Sequence, residues 1–134
     1  MDRRLCSVFG AGALALGLAC ASADAAAQSL QRATVRHGSV EVPVEIARPD
    51  GRGPWPAVLY IHAKRGYEDV DRTHVQALAR DGFLVMAPDW LAANMIERWP
   101  DRHVPESEDD VEAALAALRA HPDACRQPAG IVAK

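Results

Sequence analysis

The sequence predicts an α/β domain in which a mostly parallel sheet carries flanking helices and is preceded by an N-terminal β-hairpin. Two apolar runs of strand length, Ala57–Ile61 and residues 83–87, are separated by a segment with helical periodicity. A strand, a helix and a second strand in that order form a βαβ unit, whose crossover is right-handed. The hairpin is indicated by two strand-like segments that flank the turn residues Gly38 and Ser39.

Length and composition limit both the architecture and the partners. The chain has 134 residues, a net charge of −3, 49% hydrophobic residues and 5% aromatic residues. One domain at most is expected, and the charge gives no basis for binding nucleic acid. No metal site is indicated, because four of the histidines show no close spacing with Asp, Glu or Cys: His37, His74, His103 and His121. No cofactor is expected.

The N-terminus has the pattern of a secretory signal peptide. Arg3 and Arg4 precede an apolar stretch, residues 8–21, and small residues in A-x-A spacing follow. The apolar stretch is shorter than the roughly 20 residues that a membrane-spanning helix needs. We therefore expect residues 1–27 to be removed, leaving a periplasmic or secreted protein, residues 28–134, that is not bound to the membrane. A buried N-terminal helix is the alternative.

Removal of the signal peptide deletes Cys6 and Cys20 and leaves Cys125 as the one cysteine. A lipoprotein signal at Cys20 is the weaker interpretation, because Gly17 stands where such signals have leucine. Cys125 is expected to be a buried thiol, with a reactive thiol or a disulfide to a partner beyond the chain as alternatives.

The hairpin strands are predicted at residues 34–37 and Val40–Ala47. In the second strand apolar residues alternate with Glu41, Pro43 and Glu45, so one face is expected to be buried and the other wet. Pro43 cannot donate to a sheet ladder, which favours an edge position.

Helix signals follow each later strand. In the first helix Asp69 or Asp71 is the expected N-cap, and Gly82 the residue after the C-cap. Its apolar face comprises Val75, Leu78 and Ala79. Residues 89–105 form a long polar loop, with Asp89 as a turn-forming cap rather than a catalytic acid. Ser107 is the expected N-cap of the last helix, with Asp110 as its reciprocal partner.

Three segments resemble the dienelactone hydrolase family of α/β-hydrolases. Residues 56–62 match a proline-led strand that ends in a histidine loop, and residues 78–89 match a Leu-Ala-x-x-Gly segment that ends in Ala-Pro-Asp. Residues 110–118 are similar to the family's Asp-x-x-Ala-Ala-x-x-x-Leu helix. The likeness covers approximately residues 40–132.

This resemblance implies hydrolysis of a small carboxylic ester or lactone through an acyl-enzyme, without a cofactor. The loop after the first central strand would supply one oxyanion donor, which falls on the backbone N–H of Lys64. Such a donor is worth about 3–4 kcal/mol of transition-state stabilisation. We interpret His62 as ordering this rim loop through hydrogen bonds rather than as a catalytic base.

Two departures from the family pattern limit that expectation. Ala63 stands where dienelactone hydrolases have a glutamate beside a cysteine nucleophile, so a serine nucleophile or another substrate is favoured. Basic Lys64 and Arg65 follow, as rim charges or as attractors of a substrate carboxylate. The nucleophile elbow would come after the strand that begins at Gly130, and the sequence predicts truncation before it. The alternative function is an inactive exported fragment or small binding module that self-associates.

Overall fold

The computed structural model describes residues 29–126 and 128–134, and this part of the chain forms five strands and three helices. In chain order the elements are β1 (Leu30–His37), β2 (Val40–Ala47), β3 (Ala57–Ile61), α1 (Asp69–Arg80), β4 (Leu84–Pro88), α2 (Trp90–Ala93), α3 (Glu106–Arg119) and β5 (Gly130–Ala133). The predicted signal peptide, residues 1–27, lies outside the described residues.

The strands form one mixed sheet in the order β1-β2-β4-β3-β5. β2 runs antiparallel to both β1 and β4, whereas β3 pairs in parallel with β4 and β5. Four of the five described strands therefore point the same way. The prediction of a mostly parallel sheet preceded by a hairpin is confirmed.

The hairpin closes as predicted, but β2 is not an edge strand. His37 pairs with Val40 around Gly38, whose φ is 58°. Pro43 is tolerated because it lies just outside the β2–β4 ladder, which begins at Val44, and its carbonyl accepts from the Asp89 N–H. The expected wet face is also wrong at Glu45, which is buried because α1 covers this side of the sheet.

Helix α1 begins one residue earlier than an aspartate cap would require. Glu68 is the N-cap, and the Asp71 carboxylate accepts from the Glu68 N–H at 2.9 Å, so neither Asp69 nor Asp71 is the cap. Gly82 follows the C-cap with a φ of 98°, as predicted.

Two apolar layers hold the helices against the sheet. Val75 and Ala79 of α1 pack on one face, with Leu78 partly buried beside them. Ala114 and Leu118 of α3 pack on the other face. The chain steps from β3 to β4 through α1 and then back past β3 to β5 through α3, so the two crossovers run in opposite directions along the sheet. Because both crossovers are right-handed, α1 and α3 lie on opposite faces.

The cap of α3 and the loop before it differ from expectation. The helix begins at Glu106 after Pro105, and the Ser107 hydroxyl donates to the Val104 carbonyl instead of capping. Asp110 is 1% exposed and accepts from the Asn94 amide, so it is a core contact rather than a capping partner. The predicted loop also contains the short helix α2.

The last strand, β5, is confirmed and has an open outer edge in the part that the structure describes. It pairs with β3 from Gly130 to Ala133, and Ile131 remains 56% exposed. Cys125, just before it, is 5% exposed, so its predicted burial is confirmed.

Candidate functional site

Polar loops gather where β3 and β4 end at the same edge of the sheet. Residues 62–68 follow β3, and Asp89 with helix α2 follows β4. Because parallel strands bring their carboxyl ends together, this edge is where α/β sheets place their sites. The sequence predicted this edge and both loops.

His62 lies in the interior of this edge, with 2% of its surface exposed. Its Nδ1 lies 2.8 Å from the Ala63 carbonyl oxygen, which can only accept, so Nδ1 carries a proton. Its Nε2 lies 3.4 Å from an Asp89 carboxylate oxygen, and its ring stacks on Trp90 with centroids 5.2 Å apart. Nδ1 is bonded to the loop backbone, which fits a positioning role, and Nε2 is buried without a hydrogen-bond partner among the described residues.

Asp89 joins the histidine to helix α2. Its carboxylate accepts from the Ala92 N–H at 3.1 Å, which confirms the predicted cap. Burial raises the pKa of Asp89, but the neighbouring His62 side chain and the hydrogen bond from the Ala92 backbone outweigh that effect and hold it below its usual value. The carboxylate is therefore ionised near neutral pH beside the imidazole.

Three consecutive carbonyl groups of the loop are each held by a donor. The Trp90 indole N–H donates to the His62 carbonyl at 3.1 Å. The Ala63 carbonyl accepts from the Gly66 N–H at 3.0 Å in addition to His62, and the Lys64 carbonyl accepts from the Trp99 N–H at 2.8 Å. With these carbonyls held, the peptide planes of the loop are fixed.

The N–H of Lys64 belongs to the same trans peptide as the Ala63 carbonyl and points in the opposite direction. Within residues 29–126 and 128–134, no acceptor is found for this N–H. A fixed amide without an internal partner, at the carboxyl edge of the sheet, has the properties that an oxyanion donor requires.

A buried carboxylate supports the loop from behind. Asp71 is 0% exposed and accepts from the Tyr60 hydroxyl at 2.8 Å and from the Arg65 guanidinium at 2.6 Å. Burial raises the pKa of Asp71, but hydrogen bonds from the Glu68 N–H, Tyr60 and Arg65 lower it by more than burial raises it. The pKa of Asp71 therefore lies below its usual value. Sequence reasoning placed Asp71 only as a cap. The one signal was Tyr60, since a tyrosine in a buried strand needs a partner for its hydroxyl.

A second polar cluster, which the sequence did not predict, lies on the α1 face beside β2. Arg72 Nε contacts both oxygens of the buried Glu45 carboxylate, at 3.1 and 3.2 Å, and its guanidinium lies 4.9 Å from the Tyr67 ring centroid. Burial, followed by the Glu45 charge, raises the pKa of the Tyr67 hydroxyl. These side chains, together with Asp89, line a cavity of about 270 Å³.

A cavity of about 240 Å³ lies next to Lys64, on the rim. Its lining comprises Lys64, Trp90, Pro100, Asp101, Arg102, His103, Val104 and Ser107. Because Lys64 forms part of its wall, this cavity could hold part of a substrate. In the described part of the chain no group of three His, Cys, Asp or Glu side chains is arranged to bind a metal ion. None of the described helices is long and apolar enough to cross a membrane.

The sheet order, the helices on both faces and the loop at the carboxyl edge define an α/β-hydrolase-like domain. The sequence matches the dienelactone hydrolase family over residues 42–132, so the chain belongs to this family. No curated protein is similar enough in sequence to be matched.

Solved structures agree on the fold. A dienelactone hydrolase homologue from Klebsiella pneumoniae superposes with a TM-score of 0.65 at 17% identity, over 78% of this chain and 49% of that one. A dienelactone hydrolase-like promiscuous phosphotriesterase from metagenomic libraries gives 0.62 at 22% identity, over 80% and 48%. An acylaminoacyl peptidase from Pyrococcus horikoshii gives 0.61 at 18% identity, over 80% and 19%. The chain thus spans about half the length of the first two.

Proposed function

We propose that this chain is the N-terminal part of an exported hydrolase of small carboxylic esters or lactones, in which the Lys64 backbone N–H is one oxyanion donor. The observation that carries the proposal is the fixed Ala63–Lys64 peptide, whose carbonyl is held by His62 and Gly66. A nucleophile would attack the substrate carbonyl carbon, and the negative charge on its oxygen would be stabilised by this amide. Collapse of that intermediate expels the alcohol and leaves an acyl-enzyme, which water then hydrolyses.

The named activities of the structural neighbours support this chemistry at a general level. A phosphotriesterase and an acylaminoacyl peptidase act on different electrophiles, but both reactions develop negative charge on an oxygen during attack. A fixed backbone donor serves both. The cavity of about 240 Å³ beside Lys64 favours a short acyl group, because ligand pockets for drug-sized molecules are larger. Ala63, in place of the family glutamate, favours a serine nucleophile.

His62 is proposed to act through the loop and not on the substrate. The test is His62→Gln in the full polypeptide that the gene encodes, assayed with p-nitrophenyl acetate. We expect kcat to fall by about 10- to 100-fold with little change in KM, because a misplaced oxyanion donor weakens only the transition state. The pH dependence of the remaining activity should keep its shape. Loss of the acidic limb of the pH profile, where activity falls as an essential base becomes protonated, would instead identify His62 as the general base and contradict the positioning role.

Export is a separate part of the proposal. Residues 1–27 would be removed as a signal peptide, and the mature protein would be periplasmic or secreted. N-terminal sequencing of the protein from cell fractions tests this directly. A mature protein that begins at Met1 and stays with the cytoplasmic fraction would contradict it.

A second candidate function is a non-catalytic exported fragment or binding module that self-associates. The open edge of β5, with Ile131 more than half exposed, favours this alternative, because an uncovered apolar edge strand is a template for pairing. The purified chain of 134 residues should then form oligomers in light scattering and show no esterase turnover. Turnover that persists in a monomeric, homogeneous preparation would exclude it.

A further inference from the structure

We propose that residues 95–102 act as a clamp that positions the loop of residues 62–68, called the oxyanion loop below, with Trp99 as the positioning residue. The inference rests on the proposed role of Lys64 and adds to it the element that holds its peptide in place. The clamp lies between α2 and α3, far in sequence from the loop, and crosses it at the rim.

The clamp and the loop are joined by contacts in both directions. The Trp99 N–H donates to the Lys64 carbonyl at 2.8 Å, and the Lys64 ammonium donates to the Pro100 carbonyl at 3.3 Å. The Arg98 guanidinium donates to the Glu68 carboxylate at 2.9 Å, at the far end of the loop. The clamp is therefore tied to the beginning and to the end of the loop.

The backbone of Trp99 shows that this contact is imposed by the surroundings. Its φ is 59°, in the left-handed region, which a bulky residue rarely occupies. The next residue is Pro100, and a residue before proline normally prefers an extended backbone. The Trp99 side chain is 70% exposed, so burial of the indole does not compensate for this conformation. The contact that accompanies the unusual backbone is the hydrogen bond to Lys64, and backbone strain of this kind collects at functional sites.

The turn on the loop side leaves room for the clamp. Gly66 has a φ of 99°, and a Cβ placed there would lie 3.3 Å from Arg98 Nε. The absence of a side chain at Gly66 thus lets Arg98 lie over the turn while the Gly66 N–H closes it onto the Ala63 carbonyl. Exchange of the Gly66 amide hydrogen consequently reports whether the turn is held.

A pair of substitutions at one position separates the backbone contact from the side chain. Trp99→Gly keeps the N–H and permits a positive φ, whereas Trp99→Pro removes the donor and forbids that φ. We expect the Gly66 amide to exchange about five- to tenfold faster in the proline variant, the effect of losing one net hydrogen bond. Exchange in the glycine variant should stay within about twofold of the parent protein. Equal exchange in all three proteins, measured by NMR, overturns the clamp.

A third variant keeps the test decisive if the proline variant does not fold. Arg98→Ala removes the contact with Glu68 and leaves the backbone unchanged, and Gly66 exchange should rise severalfold; no change overturns the clamp. Hydrolysis of p-nitrophenyl acetate by the full polypeptide that the gene encodes then separates this inference from the proposed function. Faster Gly66 exchange with a lower kcat and the same KM supports both. Faster exchange with an unchanged kcat supports the clamp and contradicts the role of Lys64.

Discussion

Replacement of Asp71 by asparagine is the sharpest test of how the oxyanion loop is supported. The Asp71 carboxylate is fully buried and accepts from Tyr60, Arg65 and the backbone N–H of Glu68. Asparagine has nearly the same shape, and its one carbonyl oxygen can still accept from Tyr60 and Arg65. Its NH₂ group cannot accept from Glu68, and its neutral amide does not balance the charge of Arg65.

The magnitude follows from what is left unpaired. A buried backbone N–H that loses its acceptor costs about 1–3 kcal/mol. Breaking a buried ion pair by removing one partner costs about 3–5 kcal/mol, and Arg65, whose side chain is 23% exposed, lies at the lower end because water still reaches it. These two losses overlap, so we expect Asp71→Asn to lower the free energy of unfolding by about 3 kcal/mol at pH 7.

Urea unfolding followed by circular dichroism measures this change, with Asp69→Asn as the matched control. The Asp69 side chain is 99% exposed and pairs with Arg72 at 2.8 Å, so its loss should cost less than about 1 kcal/mol. The pKa of Asp71 is lowered in the folded protein, so its contribution is complete above the unfolded pKa, about 4, and is lost as the pH falls through the folded value. The parent protein and the Asp71→Asn variant should therefore begin to converge in stability as the pH falls below about 4. Equal costs for Asp71→Asn and Asp69→Asn at pH 7 would refute the reasoning.

Three further changes test other parts of the structure. Tyr60→Phe removes one donor to Asp71 and should cost about 2 kcal/mol in the same urea assay, and less, about 1 kcal/mol, if Asp71 is already replaced by asparagine, because the lost hydrogen bond is then to a neutral acceptor. Glu45→Gln leaves the guanidinium of Arg72 without its buried counter-charge and should cost about 2–3 kcal/mol, whereas an unchanged midpoint would mean that solvent screens this pair. Ile131→Lys places a charge on the exposed β5 edge and should reduce self-association in light scattering without lowering the unfolding midpoint; undiminished association would locate the contact elsewhere.

The backbone plan was predictable from the sequence because its signals are local. Two apolar runs and a helical period define β3, α1 and β4, and Gly38 and Gly82 mark turns through their positive φ. The polar interior was not predictable, because its partners are far apart in the chain. Glu45 looked like a wet position on an alternating strand, and its burial depends on α1, which is positioned only when the whole sheet forms.

The same distinction between local and distant signals applies to the candidate site. His62 and Lys64 were identified from the strand end and from the family resemblance, which are both readable locally. The Trp99 contact was not, because a bond across 35 positions between two irregular segments leaves no periodic pattern. Its only trace in the sequence is Gly66, and glycine occurs in loops wherever the backbone turns tightly, with or without a second segment lying over it.

The geometry of the loop is held by elements that all lie within the described residues. Trp90 begins α2, Trp99 belongs to the clamp, and Asp71 lies in the first turn of α1. None of these contacts involves β5 or requires a neighbour on its open edge. The Lys64 amide should therefore be oriented whether or not a nucleophile is present, since its hydrogen bonds form when the sheet and helices fold. Such prior orientation is what makes a backbone amide effective in catalysis, because no reorganisation has to occur while the oxyanion develops.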